Sequence, residues 1–231
     1  MNKIVFVILF VILNVTCIFS SLGFSGTSDS LTLCALEYPP YSTLERDDRG
    51  TLTADLRDVL SERHRDIHFL FYRWDSAIEK ASMGYCVGYY PVRLDDIDNR
   101  AFFLSIPVIE IEIGLMINNS KPIDYRDYAH LFSKYRVGIV WMPEYPLRVR
   151  SYEDKFVIFK REEDLVSSLS SGTIDLAIGD VAVLLYYSDR LGIKNLHTYR
   201  IIERQHLYIA FSRKFENVDV AIDINNLLML K

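Results

Sequence analysis

Arg100 is the first residue of this sequence whose type and position suit it to bind a charged ligand. It closes a run of acidic residues, and an apolar, strand-like segment that begins at Tyr85 and an aromatic turn precede that run. A guanidinium can hold a carboxylate through two parallel hydrogen bonds, and ligands of open α/β sheets bind at the carboxyl ends of strands. We therefore expect Arg100 to anchor an anionic group. Alternatively, Arg100 or the earlier Arg93 pairs with an aspartate of the solvated turn, a contact worth about 0–1 kcal/mol.

Four aromatic residues are candidates for the wall of the same site. Tyr38 and Tyr41 flank two prolines, which hold their loop rigid, and tyrosine offers a flat apolar face with a hydroxyl group. Tyr90 follows the strand-like segment at the same predicted sheet edge, and Trp74 precedes a predicted helix. Pockets are commonly lined by aromatic side chains. The alternative for each of these residues is packing against the core.

Asp180 lies where a predicted strand turns into a helix. Aspartate is a good helix N-cap, because its carboxylate accepts backbone N–H groups of the first turn. Such a position also places the carboxylate at a ligand-binding sheet edge. Capping and ligand binding are compatible, so we expect Asp180 to belong to the site.

Several classes of function are disfavoured by composition and spacing. The formal net charge is −5, and the sequence has no basic stripe of the kind that phosphate binding needs. The five histidines are scattered, without a His-x-x-x-His pair, and a Gly-x-Ser-x-Gly elbow is absent. We therefore predict a protein that is not an enzyme, has no metal or cofactor, and does not bind nucleic acid.

The first 26 residues have the pattern of a secretory signal peptide. One lysine precedes an apolar run at 4–13, and small residues follow. The run is shorter than the roughly 20 residues that a membrane-spanning helix needs. We expect export with cleavage between about residues 20 and 26; a membrane anchor or a lipid-modified Cys17 is less favoured.

Two cysteines, Cys34 and Cys86, remain after such a cleavage. Their spacing does not match a zinc site. Both lie in apolar, strand-like segments that we expect to be neighbours in a sheet. They are either two buried thiols or, in an exported protein, a disulfide.

The elements that must position these residues alternate between strand and helix, which favours an α/β fold with mostly parallel sheets. A helix, a glycine and a strand follow one another twice, before Tyr89 and before Asp180. Two similar α/β lobes explain this repeat better than one long sheet. Strands are predicted at 31–36, 68–72, 85–88, 136–141, 156–159 and 173–178. Helices are predicted at 55–65, 75–83, 162–171, after 180, and at 218–230; the second of these has Asp75 as its N-cap and is closed by Gly84.

Five short motifs resemble, in order, those of the bacterial family 3 extracellular solute-binding proteins, which capture amino acids and similar small polar solutes for ABC import. Their shared order over residues 31–231 carries the resemblance more than any one motif does. The motifs are EYPPYS at 37–42, DL at 55–56 after Gly50, WDSAI at 74–78, Arg100 with LSIP at 104–107, and LSSGTIDLAIGD at 169–180.

The resemblance implies a two-lobed, periplasmic-binding-protein-like fold of type II that closes on a small polar ligand. Lobe 1 would comprise residues 31–112 and 206–231, and lobe 2 residues 113–205. Arg100 would hold the ligand's carboxylate, and Asp180 its ammonium group, with Tyr38, Tyr41, Tyr90 and Trp74 around them. The protein would be a periplasmic monomer, with an inner-membrane ABC permease as its partner.

Three departures from the family pattern argue against an ordinary α-amino-acid ligand. Val87 replaces an expected acid, Ile97 replaces a threonine that helps to hold ligand, and Pro143 with Glu144 replaces a Gly-Ser/Thr turn. Pro143 removes an N–H donor and Glu144 adds negative charge where an anion would bind. A sensory or accessory module, or a degenerate chain without a transport role, remains the alternative, and an enzyme on the same fold is a less favoured one.

Overall fold

Nine strands and six α-helices form the part of the chain that the structure, a computed structural model, describes: residues 30–64, 66–142, 145–214 and 218–230. The predicted signal peptide, Pro143 and Glu144 lie outside these residues. The strands are β1 Ser30–Leu36, β2 Asp66–Tyr72, β3 Gly88–Arg93, β4 Phe102–Leu104, β5 Ile109–Asn118, β6 Val137–Val140, β7 Phe156–Phe159, β8 Leu176–Asp180 and β9 Leu196–Ser212. The helices are α1 Thr51–Leu60, α2 Trp74–Met83, α3 Tyr128–Lys134, α4 Glu162–Ser170, α5 Val181–Arg190 and α6 Val218–Met229.

The strands contain two parallel groups, as the repeat in the sequence predicts. In the first group, β1 pairs in parallel with β2 and β3; in the second group, β6 pairs in parallel with β7 and β8. The antiparallel strands β9 and β5 lie between the groups, so that all strands form one hydrogen-bonded path in the order β2-β1-β3-β9-β5-β8-β6-β7, with β4 on β9. This connection through the 17-residue β9 was not predicted.

Several element boundaries differ from the predicted ones. Helix α1 begins at Thr51, four residues early, and its inward face carries Leu52, Leu56 and Leu60 at helical spacing. The N-cap of α2 is Arg73, and the predicted cap Asp75 lies in the first turn, where a carboxylate still interacts favourably with the helix dipole. Gly84 ends α2 in the left-handed conformation (φ 84°), as predicted.

The core continues across both groups of strands. The largest cluster of buried hydrophobic residues includes Leu33 of β1, Ile113 of β5 and Ile178 of β8. A smaller cluster in the first group contains Cys34 and Cys86, which form a disulfide with Cα atoms 5.6 Å apart. The prediction that these cysteines lie close together is confirmed. Cys34 lies on β1, whereas Cys86 lies in a bend just before β3, the strand that pairs with β1. In the described residues, no helix is long and apolar enough to cross a membrane.

Candidate functional site

The carboxyl ends of the parallel strands from both groups meet around one cavity. Strand β1 leads into the Tyr38 loop, β3 ends at Arg93 and β6 leads into Trp141, and these three residues border the cavity. Asp180, at the end of β8, lies beside the cavity and bonds to Tyr38. The edge where such strands end is the usual place for a ligand in an α/β sheet.

The loop after β1 is a tight turn fixed to the start of α1. The amide of Tyr41 donates to the carbonyl of Tyr38 (3.0 Å), and the amide of Tyr38 donates to that of Ser42 (2.7 Å). The first N–H groups of α1 have no partner within the helix. Here Thr51 donates to Pro40 and Leu52 donates to Tyr41, each at 2.9 Å. These hydrogen bonds attach the turn to the start of α1. Within the turn, the rings of Tyr38 and Tyr41 stack with centroids 5.6 Å apart.

Asp180 joins this turn to the second group of strands. Its Oδ1 accepts the hydroxyl of Tyr41 (3.0 Å), and its Oδ2 that of Tyr38 (3.4 Å). Oδ1 also accepts the amides of Ala182 (2.9 Å) and Val183 (3.4 Å), which confirms Asp180 as the N-cap of α5. The residue is only 6% exposed, and this burial raises the pKa of its carboxyl to about 6.

The phenols that bond to Asp180 are held in their neutral form. Burial, followed by the nearby Asp180 charge, raises the pKa of Tyr38 well above its ordinary value. The same two causes, together with the hydrogen bond to Asp180, raise the pKa of Tyr41. Both tyrosines therefore act as hydrogen-bond donors to Asp180 at neutral pH.

The cavity beside this contact has a volume of about 310 Å³ and is bordered by both groups of strands. Its wall combines aromatic rings with charged groups. The aromatic residues are Tyr38, Trp74 and Trp141, and the charged residues are Glu37, Arg93, Asp96 and Glu162. In the described residues, no group of histidine, cysteine or acidic side chains could hold a metal ion.

The predicted position of Arg100, facing Asp180 across the cleft, is wrong. Its side chain is 93% exposed and pairs with Asp98 (3.2 Å) on the turn, the alternative that the sequence also allowed. Arg93 is the arginine that reaches the cavity. A short 3-10 helix at Leu94–Asp96 brings Asp96 back to Arg93, and the two side chains form a mostly buried ion pair (2.8 Å).

Tyr90 also lies elsewhere than predicted. Its side chain is fully buried, and its hydroxyl donates to Thr53 of α1 (3.0 Å), so it belongs to the core under that helix. Side chains alternate along a strand, and in β3 this alternation turns Tyr90 away from the cavity. Trp74 does border the cavity, and its side chain is 42% exposed at the rim.

Arg93 is held by a partner within the chain. Its Nε donates to Asp96 Oδ2 (2.8 Å) and its Nη2 donates to Asp96 Oδ1 (3.0 Å). Its Nη1 donates to the sulfur of Met142 (3.3 Å), which follows β6 of the second group. The bidentate geometry that could grip a ligand carboxylate is thus occupied by Asp96.

Glu162, the first residue of α4, was not predicted as a site residue. It borders the cavity, and burial raises the pKa of its carboxyl. Within the described part of the chain, no other side chain donates a hydrogen bond to this carboxylate. The available signal was its place at the first helical position after a strand of the second group, the same kind of position that singled out Asp180.

No protein-family model matches the sequence, and no curated protein matches it significantly. Solved structures do. A histidine kinase sensor domain with similarity to periplasmic binding proteins has 16% identity and a TM-score of 0.69, covering 87% of this chain and 89% of its own. Truncated, arginine-bound ArgBP from T. maritima has 17% identity and a TM-score of 0.64 (88% and 98%). The glutamate-bound GluR0 ligand-binding core from Nostoc punctiforme has 15% identity and a TM-score of 0.63 (87% and 92%). At these identities the likeness shows the fold: the chain has the two-lobed α/β fold of periplasmic-binding-protein-like domains.

Proposed function

We propose that this protein binds a small polar solute in the cavity between its two groups of strands. The observation that carries the proposal is the cavity itself, which lies at the carboxyl ends of strands from both groups and combines three aromatic rings with four charged side chains. The arginine-bound and glutamate-bound neighbours hold small solutes on the same fold.

Under this proposal, residues 31–112 with 206–231 form one lobe and residues 113–205 the other. Tyr38 and Trp74 contact the solute from the first lobe. Arg93 holds the carboxylate of Asp96 in the cavity wall through hydrogen bonds. Asp180 and Tyr41 act indirectly. Asp180 accepts a hydrogen bond from Tyr38, and the hydrogen bond between Tyr41 and Asp180 connects the two lobes. Arg100 and Tyr90 have no role in the site.

We further propose that the protein is exported and captures its solute in the periplasm for an ABC permease. The leader pattern at 1–26 supports export, and so does the Cys34–Cys86 disulfide, since such bonds persist in oxidising compartments. The sensor-domain neighbour favours a second candidate, in which the same binding event serves signalling. Loss of solute uptake in a deletion strain supports transport, whereas normal uptake with a lost cellular response supports signalling.

A thermal-shift screen followed by calorimetric titration tests solute binding. The purified protein is screened against amino acids, amines, organic acids, sugars and short peptides. At least one solute should raise the melting temperature saturably, and Trp74→Ala should weaken its binding about tenfold, since a rim tryptophan loses its stacking surface. Because Trp74 is 42% exposed, the melting temperature without solute should change little.

Tyr85→Ala is the matched control for this variant. Tyr85 is a 70% exposed aromatic residue that does not border the cavity. Its substitution should leave the affinity unchanged. The proposal fails if no solute in the screen binds, or if Trp74→Ala and Tyr85→Ala affect binding equally.

A further inference from the structure

We infer that the cavity selects a small organic cation that lacks a carboxylate, an amine rather than an amino acid. This inference rests on the proposed function and names the class of solute. It follows from three features of the cavity wall: the balance of charge, the engagement of its arginine, and the place of its aromatic rings.

The charge balance of the wall favours a cation. Three carboxylates, those of Glu37, Asp96 and Glu162, face one guanidinium, that of Arg93. Asp96 pairs with Arg93 through two hydrogen bonds, so these two charges compensate each other. Glu37 is exposed, and its two oxygens accept hydrogen bonds from the Thr43 hydroxyl and the Leu44 amide. The charge of Glu162 therefore remains within the wall, and a ligand of positive charge balances it.

The arginine of the cavity is poorly placed to receive a ligand carboxylate. Asp96 occupies the edge formed by its Nε and Nη2, and Met142 sulfur accepts from Nη1. A ligand carboxylate on the remaining donors would lie beside Asp96. The ligand carboxylate and the carboxylate of Asp96 would then repel each other, and this repulsion grows as water is excluded. The carboxylate of an α-amino acid therefore lacks the free partner that the same arginine would otherwise provide.

Glu162 is the group best placed to receive the cation. The residue borders the cavity and is half-buried. Its carboxylate accepts its own backbone amide, and among the described residues it has no hydrogen bond from another side chain. A desolvated carboxylate gains most from a cationic partner, because both charge and hydrogen bonds are restored. Asp180 is not available for this role, since Tyr38, Tyr41 and two backbone amides already donate to its oxygens.

The aromatic rings of the wall suit the same ligand. Tyr38, Trp74 and Trp141 border the cavity, and the two tryptophans are 42% and 64% exposed at its rim. The face of an indole ring attracts a cation by about 0.5–2 kcal/mol, depending on how far water is excluded. A cation held by Glu162 within this cavity thus meets aromatic surface instead of water.

Matched pairs of solutes that differ only in the carboxylate test the inference. Titration calorimetry compares agmatine with arginine, cadaverine with lysine, and tyramine with tyrosine. We expect at least one amine to bind at least about ten times more tightly than its amino acid, because Asp96 repels the carboxylate that only the amino acid carries. The inference is overturned if the amino acids bind as tightly as the amines, or if no amine binds. Binding of a neutral or anionic solute in the screen above, with Trp74→Ala weakening it, would in that case leave the proposed function standing.

Two substitutions separate the roles of the carboxylates. Glu162→Gln should weaken binding of the amine about tenfold. Glu163→Gln, which changes the neighbouring half-buried glutamate outside the cavity wall, should leave that binding unchanged. Asp96→Asn should free Arg93 and shift the preference at least tenfold toward the amino acid of the pair. Equal effects of Glu162→Gln and Glu163→Gln, or an unchanged preference in a folded Asp96→Asn protein, would contradict the inference.

Discussion

Asp180 combines two structural functions in one carboxylate. It caps α5 through two backbone amides, and it accepts hydroxyl groups from Tyr38 and Tyr41 on the opposite side of the cleft. Caps are common at such positions, but a cap that also receives two phenols must give up most of its contact with water. The cost of this desolvation is what raises the pKa of Asp180 to about 6.

Asp180→Asn should therefore change how stability depends on pH. The folded-state pKa of about 6 lies above the ordinary value of 3.8, so the folded chain binds the proton more tightly than the unfolded chain. The stability that this group contributes is fully present below about pH 4 and is lost as the pH rises through about 6. The asparagine cannot ionise, so the variant does not lose this stability as the pH rises. The difference in unfolding free energy between the variant and the natural chain should therefore shift by roughly 2–3 kcal/mol in favour of the variant from pH 4 to pH 7.

Urea unfolding of both proteins at several pH values measures this difference. Asp164→Asn is the control, because Asp164 pairs with Arg161 on the surface and has a lowered pKa, which gives the opposite sign. A free-energy difference between the Asp180→Asn protein and the natural chain that stays constant from pH 4 to 7 would contradict the assignment.

At the scale of elements, the turn at Tyr38 to Ser42 depends on a glycine outside it. Gly50, just before α1, has φ 101°, and a Cβ there would lie 2.4 Å from the carbonyl oxygen of Tyr41. An L-residue at this position meets both backbone strain and a clash with the turn. Gly50 thus fixes how closely the turn can approach the helix.

Gly50→Ala should destabilise the protein by more than about 2 kcal/mol and weaken solute binding, because the turn that carries Tyr38 must move. Gly192→Ala is the matched control. Gly192 also has positive φ (69°), but a Cβ there would meet open space, so its cost should stay near about 1 kcal/mol with binding intact. Chemical unfolding and titration of both variants provide the comparison, and equal losses would show that the clash with Tyr41 has no effect.

Local elements could be read from the sequence because their signals are local. The inward leucines of α1, the capping Asp180 and the left-handed Gly84 each act within a few residues. Strand β9 is different: it pairs with β3, β4 and β5, all more than 75 residues earlier in the chain. Its partners are chosen by long-range packing, which no short pattern contains.

The site could be predicted in part for the same reason. Tyr38, Trp74 and Asp180 lie where strands end, and the structure places them at or beside the cavity. The choice between Arg93 and Arg100 depended on a three-residue 3-10 helix that turns Asp96 toward Arg93. Both arginines have aspartates nearby in the sequence, so spacing alone could not distinguish the buried pair from the exposed one.

At the scale of the whole molecule, the two groups of strands are joined both through the sheet and across the cleft. Strands β5 and β9 pair along their lengths and connect the groups covalently and by hydrogen bonds. Across the cleft, Glu45 accepts a hydrogen bond from the hydroxyl of Tyr186 (2.8 Å) and pairs with Arg190 (2.9 Å), and Asp180 accepts one from the hydroxyl of Tyr41 (3.0 Å). The side chains that border the cavity thus keep their relative positions only if each group of strands stays folded.

The disulfide contributes to the stability of the first group of strands. Cys34 and Cys86 are 52 residues apart in the sequence, and the segment they enclose contains α1, β2 and α2. Closing a loop of this length in the unfolded chain contributes about 4 kcal/mol in the chain-entropy description. The bond also ties β1 to β3, the strands whose ends carry Tyr38 and Arg93.

Reduction should therefore lower the unfolding free energy of the protein. Because both cysteines are almost fully buried, the bond should resist dithiothreitol under native conditions and open once the chain unfolds. We expect the unfolding free energy in urea with dithiothreitol to fall by up to about 4 kcal/mol. The double variant Cys34→Ala, Cys86→Ala is the control, since dithiothreitol should leave its unfolding curve unchanged. If dithiothreitol shifts the unfolding of the natural chain no more than that of the double variant, the bond does not stabilise the fold.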